Sequence, residues 1–204
     1  MSAVLHYKLQ TLADQLIYKA CIDLEIDPES PTDIYNNVYR LRDRLKEVND
    51  LSPIPVGTTG TITERYCEAA LISINSGYGK LPGDWKWVGD FYIESIPFNV
   101  IVSVKSFKAK ERLLSSGSGN YLSPTIGFGL FNDSSEFKFN RVAKYPFRAF
   151  IAIYMPIDTY EQLEADVQSL KNINNRPFIR KIEDFPRDLL SAKDKKHRLD
   201  ITKF

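Results

Sequence analysis

Apolar and polar positions alternate along the chain with two different periods. Over residues 3–24 the apolar positions Val4, Leu5, Leu9, Leu12, Leu16, Ile17, Ala20 and Cys21 recur every three or four residues, which predicts one face of a helix. Thr32-Asp33 can cap a second helix, whose stripe is Ile34, Val38, Leu41, Leu45 and Val48. Leu51-Ser52-Pro53-Ile54-Pro55-Val56-Gly57 then breaks the pattern, because proline cannot extend a helical ladder. A third helix is expected over Gly60–Leu71, ended by a glycine at Ser76-Gly77-Tyr78-Gly79.

Beyond that point the period shifts toward two. Trp85, Trp87 and Val88 alternate, Asp90 to Ile93 extends the same strand, and Asn99 to Lys105 forms the next one after a turn at Pro97. Alternation puts Ile101, Ser103 and Lys105 on one strand face and Val100, Val102 and Val104 on the other. A short helix over 108–114, a Ser/Gly/Asn connection over 115–120, a strand or glycine-kinked loop over 125–131, a strand over 148–155 and an amphipathic helix over 160–170 follow. The resulting expectation is an α/β chain of 204 residues folding as one domain, with a helical N-terminal part (1–52), a core (57–155) and C-terminal elements (156–204).

Composition excludes more than it assigns. With 43% hydrophobic and 12% aromatic residues the chain can bury a core, and its net charge of +1 excludes a uniformly basic protein. No apolar run reaches membrane-spanning length and no leader pattern is visible, so a cytoplasmic protein without membrane contact is expected. Cys21 and Cys67 lack metal-ligand spacing and read as buried free thiols. His6 and His197 fit no triad, and Gly127-Phe128-Gly129 lacks the lysine of a phosphate loop. Arg40, Arg42, Arg44 and Lys46 read as a solvated helix face, and the run Lys193–Arg198 as a solvated tail.

The chemistry-bearing segment is Gly89-Asp90-Phe91-Tyr92-Ile93-Glu94 with Val102-Ser103-Val104-Lys105, which places a carboxylate and a lysine on adjacent strands. Phosphodiester hydrolysis needs anionic oxygens for a divalent cation and a positive group beside the attacked phosphorus, and Asp90 and Lys105 can supply both.

Gly60-Thr61-Ile62-Thr63-Glu64 with Gly77-Tyr78, the strand residue Asp90, and Ser103-Val104-Lys105 together resemble the PD-(D/E)xK nuclease superfamily, and within it the type II restriction endonucleases. The likeness covers about residues 57–155. It implies a mixed central β-sheet flanked by helices, a restriction-endonuclease-like core, and Mg²⁺-dependent, sequence-specific cleavage of double-stranded DNA by a homodimer. On that resemblance the catalytic residues are Asp90, Ser103, Lys105 and Glu64, and the metal ligands are Asp90, Glu64, the carbonyl of Val104 and Glu111. Contacts to DNA fall to Lys108, Lys110, Arg112, Ser116, Ser118 and Asn120. Two departures stand out: Ser103 replaces the second acid of the motif, and Gly89 precedes Asp90 where the family has proline. Glu64 or Glu111 would have to replace the missing charge, with Glu94 and Glu68 as further contenders. A structure-specific or repair nuclease, or an inactive DNA-binding protein of the same fold, are the alternatives.

Overall fold

The computed structural model describes residues 11–106, 123–146, 149–194 and 198–204. The expected short helix over 108–114, the connection over 115–120, both histidines, Glu111 and all six proposed DNA-contact residues lie outside them. The chain forms two compact units, 1–75 and 76–204, so the division falls after the third expected helix rather than at the prolines before it.

The first unit is helical. Helix α1 (Leu12–Asp23) opens with a capping box, in which the Thr11 hydroxyl accepts from the Asp14 backbone N–H and the Asp14 carboxylate accepts from that of Thr11. Its inward face is Ala13, Ile17, Ala20 and Cys21, all buried. The stretch read as one second helix is two, α2 (Pro31–Asn36) and α3 (Val38–Leu51), hinged at Asn37 (φ −108°, ψ 19°). The apolar stripe continues across the hinge, which is why the pattern hid it. Ser30 caps α2 through the Asp33 N–H, with Pro31 at the first helical position where its missing N–H is harmless. Helix α4 (Val56–Ser73) starts directly after Pro55, and its end is turned by Asn75 at φ 48° rather than by a glycine. Helix α4 packs on α1 and α2, and α1 on α3.

The arginines of α3 serve this unit. Arg40 donates to the Leu24 carbonyl that ends α1, and Arg44 donates to Asp23 and Glu47. Cys21 and Cys67 are buried and not joined by a disulfide, and burial pushes the Cys21 thiol up to about 12.

The second unit is a six-stranded mixed sheet flanked by helices. Its strands are β1 (Tyr78–Lys80), β2 (Phe91–Ile93), β4 (Val100–Lys105), β5 (Thr125–Gly129), β6 (Phe150–Met155) and β7 (Ile179–Lys181), adjacent in that order. Pairings β1–β2 and β2–β4 are antiparallel; β4–β5, β5–β6 and β6–β7 are parallel. A small parallel pair joins β3 (Ser95–Ile96) to β8 (Leu199–Asp200). The near-continuous apolar runs of β4 and β6 suit strands covered on both faces.

One face carries Phe131, Phe137, Val142, Tyr145, Ile153, Met155, Leu163, Val167 and Ile179, drawn partly from helices α5 (Phe139–Val142) and α7 (Ala165–Gln168), with Tyr160 of helix α6 (Ile157–Glu161) packed against them. The other packs Phe128 and Tyr154 on Phe185 of helix α8 (Phe185–Ser191), with ring centroids 5.1 and 4.9 Å apart. Each such fully buried aromatic ring contributes about 1.5–3 kcal/mol of burial free energy.

Two expectations for this unit are corrected. Trp85 and Trp87 do not belong to a strand: Gly83–Trp85 is a 3-10 turn, and both indoles are more than half exposed. The helix expected over 160–170 is the separate short helices α6 and α7, the first starting after Pro156. Among the described residues, no helix is long and apolar enough to cross a membrane.

Candidate active site

Asp90 stands just before β2, where the chain must come unusually close to β4. A Cβ on Gly89 would lie 2.3 Å from Ile101 Cγ2 and 3.0 Å from the Val102 carbonyl oxygen. Any side chain there would force Ile101 or the Val102 carbonyl to move, so glycine suits this close approach. The Asp90 N–H donates to the Val102 carbonyl (2.8 Å), one residue out of the Phe91–Val102 register. That shift leaves the Val104 N–H for the side chain, and Asp90 Oδ2 accepts it at 2.6 Å.

An extended residue points its N–H and C=O to the same edge, so the Val104 carbonyl faces Asp90 as well. Lys105 folds back to it: Nζ donates to Val104 O at 3.0 Å and lies 3.9 Å from Asp90 Oδ2. The ammonium thus donates to the Val104 carbonyl and lies near the Asp90 carboxylate without a close contact. The Val104 N–H and the Lys105 ammonium both approach Oδ2, so Oδ1 takes part in neither interaction.

The Asp90 side chain is only 10% exposed and that of Lys105 15%. Burial raises the Asp90 carboxyl above its ordinary value, outweighing the opposing pull of Lys105, the Val104 N–H and Lys86. Lys86 was not singled out in the sequence. Its position in Trp85-Lys86-Trp87, three residues before Gly89, was the available signal.

Ser103 is fully buried, and its Oγ has no hydrogen-bond partner. A buried hydroxyl left unpaired is uncommon in a settled core. Strand β5 reaches the end of β4 because position 129 is glycine: a Cβ there would lie 2.7 Å from the Lys105 carbonyl oxygen.

The acids considered as replacements for the missing charge fall in different places. Glu64 lies on α4 in the helical unit. Glu68 is on the same helix and committed to Arg65 at 2.9 Å. Glu94 follows β2 at the end opposite Asp90, its N–H bonded to Gly77 O. Among the described residues no three of His, Cys, Asp and Glu cluster as a metal site. The Asp90 carboxylate and the Val104 carbonyl are nevertheless both hard oxygen donors. Mg²⁺ takes one or two carboxylates and completes its shell with water and substrate phosphate, so this donor set suits it.

No known family model matches the chain, and neither does any curated protein or solved structure.

Proposed function

We propose that the Asp90–Lys105 end of the sheet is the hydrolytic centre of a Mg²⁺-dependent, site-specific endonuclease acting on double-stranded DNA as a homodimer of restriction type. The observation that carries this reading is the desolvated Asp90 carboxylate held between the Val104 N–H and the Lys105 ammonium on adjoining strands. Asp90 and the Val104 carbonyl would hold Mg²⁺, with water and the substrate phosphate completing its shell. When bound, the ion supplies charge neutralisation at the phosphate and a more acidic water. Lys105 orients the attacking water and offsets charge building on the phosphorane oxygens, in a site where low exposure strengthens that interaction. The Val104 N–H fixes the carboxylate rotamer, and Gly89 lets the strand come close enough for it to do so.

A single observation favours the inactive DNA-binding reading: among the described residues, no three of His, Cys, Asp and Glu cluster as a metal site. Digestion of a DNA of known sequence with Mg²⁺, followed by end mapping, separates these readings. The expected result is cutting of both strands at a short symmetric site, lost by about a thousandfold or more in Asp90→Asn and Lys105→Ala. Cleavage that follows DNA shape instead of sequence indicates a structure-specific nuclease. Binding without cleavage indicates the inactive reading.

A further inference from the structure

A cavity of about 500 Å³ opens at the far edge of the sheet, around β7 and α8, lined among others by Arg176, Arg180, Lys181, Arg187 and Lys203. Its two carboxylates are already engaged. Asp188 accepts from Arg180 (2.9 Å) and from the buried Tyr154 hydroxyl (2.8 Å), and Asp184 accepts from Arg187 (2.6 Å). Arg180 also donates to the Phe204 carbonyl and lies over its ring at 4.5 Å, so it forms a fixed floor. Lys203 reaches Asp200 at 3.6 Å. Neither Arg176 nor Lys181 forms a close ion pair among the described residues; Lys181 acts on Asp184 only through its charge, and lies 5.5 Å from the Tyr160 ring centre. The excess charge of this concavity therefore rests on those two side chains.

The register relates this groove to the candidate active site. Val104, Phe128, Tyr154 and Arg180 form one transverse row across four parallel strands. Lys105 and Lys181 are the next residues along the first and last strand of that row. Both therefore stand at carboxyl ends, where open α/β sheets bind ligands, and alternation directs both to the same sheet face. Three strand spacings, about 14 Å, separate them, which corresponds to roughly four base pairs of duplex rise.

Charged residues on an edge strand commonly serve only to prevent edge-to-edge pairing. A solvated edge of that kind does not need a concave site with its acids neutralised and two cations left over. We infer that the β7–α8 groove is a second phosphate-binding site, holding the backbone of the same DNA whose scissile phosphate lies at Lys105; this rests on the nuclease reading.

The test measures binding of a short DNA duplex to the full chain without Mg²⁺ over a range of salt concentrations. The variants are Arg176→Gln/Lys181→Gln and, keeping the charge, Arg176→Lys/Lys181→Arg. Each lost phosphate contact should flatten the plot of log K against log salt by about 0.9, so the neutral pair should lose about 1.8 and bind roughly tenfold or more weakly at low salt. The charge-keeping pair should retain the wild-type slope. A neutral pair that binds with the wild-type slope overturns the groove and leaves the nuclease reading intact, and one that instead self-associates shows edge protection. A wild-type protein that neither binds nor cuts duplex DNA overturns the nuclease reading and the groove assignment with it.

Discussion

The two units each bury a carboxylate beside a cation, and they treat it in opposite ways. In the helical unit, Arg65 donates to Asp14 at 2.8 Å and to Glu68 at 2.9 Å, while Thr11 adds two further donors to Asp14. Burial alone would raise the Asp14 carboxyl, but the Arg65 and Thr11 hydrogen bonds and the Arg65 charge more than offset it and hold it below its ordinary value. In the sheet unit, Asp90 receives one backbone N–H and a lysine at the loose distance of 3.9 Å, and burial wins. A carboxylate saturated by its own fold is structural. One kept dry and under-satisfied is poised for something that arrives from outside.

Removing one charge from each site sharpens that contrast most. Arg65→Ala leaves Asp14 and Glu68 buried without their counter-ion, and should lower the stability of the helical unit by about 2–3 kcal/mol. That is the low end for a broken buried pair, because the Arg65 side chain is 24% exposed. Asp90→Asn keeps an acceptor for the Val104 N–H and removes a desolvated charge, so stability should hold or rise by up to about 1 kcal/mol. Denaturant unfolding of both variants checks the pair. A loss of stability in Asp90→Asn matching that in Arg65→Ala would make the sheet site structural too.

The same contrast has a pH signature. Asp14 has a lowered folded-state pKa, so its contribution is complete above the unfolded value of 3.8 and is lost as the pH falls through the lower folded value. Acid unfolding of wild type against Asp14→Asn should differ by an amount on the order of 1 kcal/mol that shrinks below about pH 4. An unchanged difference down to pH 2 would show that the network does not depend on the Asp14 charge.

Much of this was legible in the sequence where local pattern and tertiary burial agree. The β-branched run of β4 and the apolar run of β6 allow little but buried strands, and alternation along Ser103-Val104-Lys105 was enough to bring Lys105 to Asp90. The hinge at Asn37 was not legible, because a backbone break that preserves the three-and-four spacing leaves no trace in it. Trp85 and Trp87 misled for the converse reason: alternation records hydrophobicity, and exposed aromatics in a turn carry the same signature as buried ones. The groove could not be read at all. Its cations come from positions 176 to 203, and only the placement of β7 beside α8 gathers them.

The smallest expected effect tests the orphaned hydroxyl. Ser103 sits in the middle of β4, paired in register with Gly127, so Ser103→Ala changes one oxygen and leaves the ladder intact. An unsatisfied buried hydroxyl costs about 1–3 kcal/mol in desolvation, whereas the poorer strand propensity of alanine takes back a few tenths. Stability should therefore rise by about 1 kcal/mol or less, opposite in sign to the usual result of truncating a core side chain. If the hydroxyl also serves as a donor at the cation site, the same variant should need more Mg²⁺ for half-maximal cleavage at an unchanged limiting rate. A destabilised Ser103→Ala would mean that Oγ has a bonded partner in solution, and would remove the hydroxyl as a candidate oxygen donor.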